Sequence, residues 1–203
     1  PRAEALAVQG AWQRLLDETG PQSGMRAREL AELRALRASA NQALGRSAAA
    51  RELFEAAVAT DAGSPRAQLG LAQFDLADGR AAAARQRLET LLAQQPAPTP
   101  AVARLAWGVL ADAALAERDY PAARTALDQA LQTGGDTPEL RLRRALVRIE
   151  LGDDTGARAD LEAVGARLPD QPLMHYGLGV LALRAQRPAE AVEAFERALQ
   201  RAP

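Results

Sequence analysis

The chain has no cysteine, no lysine, a single histidine (His175), a single isoleucine (Ile149), and aromatic residues at only 3% of its 203 positions. Without thiols it has no disulfide framework, no thiolate zinc site and no cysteine nucleophile. Absence of cysteine fits periplasm and cytoplasm alike, so the compartment stays open. A dominant charge sign is also missing. The 25 basic residues, all arginine, oppose 26 carboxylates for a net charge of -1, so the basic excess that drives phosphate-backbone binding is lacking and nucleic acid is not an expected partner. The longest apolar run, Tyr176 to Leu183, falls well short of the roughly 18 residues of a membrane span. Arginine as the sole basic residue reads as codon bias of a GC-rich bacterial genome. The chain opens at Pro1, with neither Met nor a basic and apolar leader, and is therefore expected to be an excised or processed piece of a longer protein.

What is present is alanine, about a quarter of all residues, within a hydrophobic share of 48%. That is enough for a core in one or two domains, and small side chains suit closely packed helices. The chain is also self-similar. A small residue recurs at Ala50, Ala84, Ala123, Ala157 and Ala191, in steps of 34 residues with one of 39. Four positions later stand Phe54, Leu88, Leu127, Leu161 and Phe195, and three further on Ala57, Leu91, Ala130, Val164 and Ala198. Pro96, Pro169 and Pro203 close three of these units, as helix-terminating residues do. First helices carry a large residue, then a Leu beside a small residue: Trp107, Leu110, Ala111; His175, Leu178, Gly179; Leu71, Ala72. Gly45, Gly79 and Gly152 mark the turns between helices.

A period of 34 residues with these residue types resembles the tetratricopeptide repeat family. The resemblance covers residues 31–203 and implies an all-α, right-handed superhelical solenoid of helix-turn-helix repeats. Five units are expected, 31–64, 65–98, 104–137, 138–171 and 172–203, with a Pro-rich insertion at 99–103. Residues 1–30 are expected to hold a capping helix over 3–18 or a degenerate repeat, plus a linker. The physics agrees with the family pattern. Each helix has an apolar stripe that one unit cannot bury alone, so stacked neighbours supply the core. Arg37, Arg141, Arg144 and Arg148 depart from the pattern, standing where apolar residues are expected.

Catalytic chemistry needs convergent titratable or nucleophilic groups, and the supply is poor. His175 occupies a packing position, and Ser23, Ser39, Ser47 and Ser64 lie in no strand-to-helix elbow. Asp153 and Asp154 lack the spaced oxygen ligands of a calcium loop. Thr133 to Asp136 is Gly-rich but has no Walker lysine and follows no strand. The sequence is therefore read as non-catalytic, with no cofactor and no metal.

The resemblance implies that first helices line a concave, partner-binding face. Carried over, that face holds Leu142, Leu146, Ile149, Tyr176, Val180 and Leu183, with Leu69, Gln73, Leu76, Gly108, Asp112 and Leu115 further up and Ser39 and Gln42 first. Family members that capture acidic chaperone tails use Lys and Asn on first helices; with no Lys, that clamp is not expected. An apolar or amphipathic peptide segment is. Six apolar contacts at about 1.5 to 3 kcal/mol each, set against association costs of about 4 to 15, imply micromolar affinity. The expected function is a non-catalytic protein-protein interaction scaffold. The alternative is a spacer and docking domain of a larger bacterial envelope assembly for exopolysaccharide export or secretion, its apolar face used for self-association or adjoining repeats. A protein or peptide partner, or a homo-oligomer, follows, in the periplasm, envelope or cytoplasm. Arg141, Arg143, Arg144 and Arg148 form a second feature, expected either to pair with carboxylates such as Glu139, Glu150 and Asp160 on a solvated face or to serve as an anionic docking patch, since arginine forks suit carboxylates.

Overall fold

A computed structural model describes residues 2–21 and 23–201. Pro203, expected to close the last repeat, lies outside the described residues. The described residues form twelve helices and no strand: α1 Arg2–Val8, α2 Trp12–Glu18, α3 Ala27–Ala43, α4 Ser47–Thr60, α5 Pro65–Ala77, α6 Ala81–Leu92, α7 Pro100–Ala116, α8 Tyr120–Gln132, α9 Pro138–Glu150, α10 Asp154–Gly165, α11 Pro172–Arg184 and α12 Pro188–Arg201. This is an all-α helical repeat solenoid. Its residues fall into two compact units, 1–113 and 114–203.

Local chemistry sets the helix starts. Proline occupies the first turn of α5, α8, α9 and α11, where its missing N–H is one the helix could not use and its fixed φ is already helical. Asp119, Thr137 and Asp153 cap α8, α9 and α10, each accepting a backbone N–H three residues on, at 3.1, 3.3 and 2.9 Å. Asp153 thus serves as a cap, and Asp154 is paired with Arg184 at 2.8 Å.

The turn inside each helix pair is a repeated device. Arg46 N–H reaches back to the Asn41 carbonyl and Gly45 N–H to Gln42, with Gly45 left-handed at φ +74°. The same pair of bonds closes the turns at Gly79 and Gly152, and at Arg118 and Gln186, which take φ +58° and +57° without being glycine. It also appears at Gly10, where Ala11 N–H bonds the Leu6 carbonyl. The single helix expected over 3–18 is therefore two, broken at Gly10 because a left-handed residue cannot continue a right-handed helix. Together α1 and α2 form a shortened helix pair with the turn of the later repeats.

The expected Pro-rich insertion also differs. Residues 100–103 are helical: the Thr99 hydroxyl accepts Val102 N–H at 3.4 Å, and Pro100 starts α7, which at 17 residues outruns the 13 of α5, α9 and α11. Extra residues after α6 thus lengthen a first helix as well as a loop.

Packing follows the period. Within the N-terminal unit α3 pairs with α4 and α5 with α6, and α3 also touches α5; in the C-terminal unit α9 pairs with α10 and α11 with α12, and α9 touches α11. Ala50, Ala84, Ala123, Ala157 and Ala191 are fully buried, and so, to within 1%, are Phe54, Leu88, Leu127 and Leu161. In the N-terminal unit Ala31, Ala35, Ala38, Ala57 and Ala67 crowd around Phe54, showing why alanine dominates: small side chains let helix backbones approach until a single aromatic ring fills the gap.

Candidate partner-binding site

In the C-terminal unit, α9 and α11 run side by side and enclose a cavity of about 320 Å³ with the end of α7. Its floor is apolar, from Leu115, Leu146, Val147, Ile149 and Val180, and its rim carries Arg143, Glu150, Tyr176 and Arg184. An apolar floor inside a polar rim desolvates a partner's apolar side chain while the rim fixes orientation. Arg184 is held in place: its guanidinium donates to the Ile149 carbonyl at 2.6 Å and to Asp154 at 2.8 Å. Such a cation at the C-terminal end of α9 also complements that helix's dipole.

Of the six residues expected on this face, Leu146, Ile149, Tyr176 and Val180 line the cavity. Leu142 does not: it belongs to the buried core with Ala145, Leu161, Met174 and Leu181, and Ile149 contributes mainly to that core. Leu183 lies outside the cavity and is 54% exposed. The reason is that a first helix has three duties: facing its own second helix, the next repeat, and solvent. A stripe at three to four residue spacing cannot separate the last two from sequence alone. In the N-terminal unit Leu69 is likewise buried, Leu76 is half-buried, and Gln73 accepts a 3.3 Å bond from Gln42, tying α3 to α5. Asp112 is half-buried on α7. The rim residues Glu150 and Arg184 were missed by sequence reasoning; their signal was position, in the last turn of the helices that supply the floor.

Of the two readings of the arginine cluster, the contacts are those of pairing with the chain's own carboxylates. Arg141, Arg144 and Arg148 turn inward onto one buried carboxylate, Asp160, whose side chain is 2% exposed. Arg144 donates to it through Nε at 2.8 Å and Nη2 at 2.6 Å, Arg148 through Nη1 at 2.9 Å and Arg141 through Nη1 at 3.2 Å. Arg144 also holds Asp128 at 2.8 Å, and Arg141 holds Asp136 at 2.5 Å. These hydrogen bonds, Asp160 first, push the Arg144 pKa still further above its ordinary value. The Arg141 hydrogen bond holds the Asp136 carboxyl below its ordinary range. Charges spent on internal carboxylates are not on offer to an acidic partner, and Arg143 lies on the cavity rim. Arg37 is structural as well, donating to the Leu16 carbonyl at 2.8 Å at the end of α2. His175 is buried, with Nε2–H donating to the Pro169 carbonyl at 2.9 Å.

A larger cavity, about 690 Å³, lies in the N-terminal unit between the α4–α5 turn and the Pro96–Thr99 stretch. Its lining mixes charges of both signs, and its Arg66 is already paired with Glu32 at 2.8 Å. Among the described residues no cluster of His, Asp or Glu could hold a metal, and no helix is long and apolar enough to cross a membrane.

Family models described as tetratricopeptide repeat match residues 42–106, and then 75–138, 109–172 and 142–203. The chain belongs to the tetratricopeptide repeat family. Solved structures of such repeats superpose on most of it. TTC0263, a thermophilic tetratricopeptide repeat protein of Thermus thermophilus, shares 29% identity at a TM-score of 0.59, over 85% of this chain and 92% of its own. PilF of Pseudomonas aeruginosa reaches a TM-score of 0.73 at 16% identity, over 95% of this chain and 85% of its own. YrrB, described as a tetratricopeptide repeat protein with an unusual peptide-binding site, gives 0.69 at 16% identity, over 95% and 93%. No curated protein matches the chain. The tetratricopeptide repeat fold is that of a protein-protein interaction scaffold.

Proposed function

We propose that this chain is a non-catalytic scaffold whose C-terminal unit binds an apolar or amphipathic peptide segment in the cavity between α9 and α11. The observation that carries this reading is the apolar floor, Leu115, Leu146 and Val180, left accessible inside a rim of Arg143, Glu150 and Arg184. A volume of about 320 Å³ takes one large apolar side chain of a peptide, with the neighbouring residues lying across the rim. One buried anchor of about 1.5 to 3 kcal/mol, helped by rim contacts and set against ordering costs, gives a weak, micromolar interaction. That strength suits a scaffold acting through several contacts at once. YrrB, which shares the fold, is described as having a peptide-binding site, which makes a peptide the first partner class to test.

The test is selection of binders from a displayed random-peptide library on the full chain, followed by fluorescence anisotropy of the winners. Leu146→Glu and Val180→Glu place charge on the apolar floor and are expected to weaken binding about tenfold or more, each charge lacking a buried partner. Winners should share one large apolar residue. Equal affinity for parent and both variants, with helicity retained, overturns the proposal.

A further inference from the structure

One register of the helix pair is filled with charge in two repeats and hollow in a third. In α9 and α10 it holds Arg141, Arg144, Arg148 and Asp160, joined by four hydrogen bonds onto one carboxylate. In α5 and α6, one step of 34 and one of 39 earlier, the same positions are Gln68, Leu71, Asp75 and Arg87. The charges there are exchanged between the helices: Arg87 donates to Asp75 at 3.1 Å and to Gln68 at 2.8 Å. In α11 and α12 the positions are His175, Leu178, Ala182 and Ala194, each 34 residues after its counterpart in α9 and α10. Alanine at 182 and 194 takes away an arginine and the aspartate together, and a cavity of about 180 Å³ opens against all four residues. Arg158 of α10 forms another wall. The cavity therefore lies towards the preceding repeat, and a later repeat in the row would meet the opposite side of α12.

The cavity carries one cation that no group of the chain answers. Arg158 is half-buried, and among the described residues its guanidinium donates to no acceptor. The remaining charges of the lining are matched: Arg197 pairs with Glu193, and Glu190 with Arg187 at 3.5 Å. One unmatched positive charge is thus left beside a partly enclosed space. The half-buried arginines of α9 show the contrast, since Arg141, Arg144 and Arg148 each hold a carboxylate. A guanidinium drawn partly out of water gives up hydration, and only an acceptor brought to it restores those bonds.

From this register and this charge we propose that the cavity takes the carboxylate of an aspartate or glutamate side chain from a partner polypeptide, gripped by Arg158. A carboxylate supplies the negative charge that the lining lacks and meets a guanidinium through two parallel hydrogen bonds. The volume admits that group with its methylene stem, which lies on Leu178, Ala182 and Ala194. The preceding repeat holds a carboxylate in the same register, that of Asp160, so the backbone geometry of the helix pair accommodates one. This site is separate from the apolar cavity, whose α11 residues, Tyr176 and Val180, lie on the other face of that helix.

The probe is a short labelled peptide of alternating glycine and glutamate, titrated into the full chain and followed by fluorescence anisotropy and by NMR of the arginine Nε–Hε signals. The chain carries a net charge of -1 and does not gather acidic peptides as a whole. A saturable shift of the Arg158 signal is expected, identified by its loss in Arg158→Gln and absent with a glycine and glutamine peptide. Affinity should fall about tenfold or more in Arg158→Gln, the size of a lost charged hydrogen bond. Ala194→Asp, which supplies the carboxylate from α12 itself, should abolish binding. Arg124→Gln, at an exposed arginine one repeat earlier on α8, and Leu146→Glu should leave it unchanged. No shift at Arg158, or parental affinity in Arg158→Gln or Ala194→Asp with helicity retained, overturns the proposal. So does displacement of the peptide by inorganic phosphate at lower concentration than by acetate, which would assign the cation to phosphate groups.

Discussion

Replacing Asp160 by Asn removes one charge and keeps the shape. The carboxylate has 2% of its side chain exposed and accepts four bonds at 2.6 to 3.2 Å from Arg141, Arg144 and Arg148. Breaking one side of a buried ion pair costs about 3 to 5 kcal/mol, because the surviving charge is left uncompensated. Here the arginines keep other partners: Asp128 for Arg144, Asp136 for Arg141 and the Gly156 carbonyl for Arg148. Those contacts put the cost at the lower end of that range, about 3 kcal/mol. Arrays of repeats do not unfold in one step, so a single melting midpoint is the wrong readout. Amide hydrogen exchange across α9 and α10 reports the opening energy locally. Asp160→Asn should lower protection there by roughly two orders of magnitude, following about 1.4 kcal/mol per factor of ten. Asp136→Asn, which alters an exposed partner of Arg141, should leave it nearly unchanged. Loss of less than about 1 kcal/mol in Asp160→Asn would refute the view that three arginines on one buried carboxylate hold α9 to α10.

Three further predictions rest on backbone and charge. Gln186→Gly and Arg118→Gly should each stabilise by up to about 1 kcal/mol, since both residues sit at left-handed φ near +57° and shed that strain; thermal unfolding by circular dichroism checks this. Gly70→Ala should destabilise by about 1 to 3 kcal/mol despite alanine's better helix propensity, because the added Cβ must displace the buried Phe54 ring; urea unfolding of the variant measures it. Asp136 titrates below its ordinary 3.8 through its bond from Arg141, so its contribution to stability is complete above 3.8 and is lost as pH falls through the lower folded value. An NMR titration of the Asp136 carboxyl should show its midpoint rising in Arg141→Gln, and an unchanged midpoint would contradict that cause.

The repeat was legible in the sequence because burial inside a helix pair is local. Ala157, Leu161 and Val164 face α9 from within one helix-turn-helix, so their spacing of four and three announces the fold, and the 34-residue step announces its repetition. The starts of α5, α9 and α11 are local too, since proline in the first turn acts through its own backbone. What the sequence left undecided is everything that depends on a neighbour outside the pair. Leu142 and Leu183 look alike in an apolar stripe, yet α11 buries the first while the second stays exposed. Arg144 could pair with any of several nearby carboxylates until Asp160, sixteen positions away on the next helix, is brought within 2.6 Å of it. Gly70 is an ordinary small residue until Phe54 arrives on its face. Local hydrogen bonding and periodicity are written along the chain, whereas the partner of a charge, the depth of a leucine and the face left open are fixed only when one helix pair meets the next.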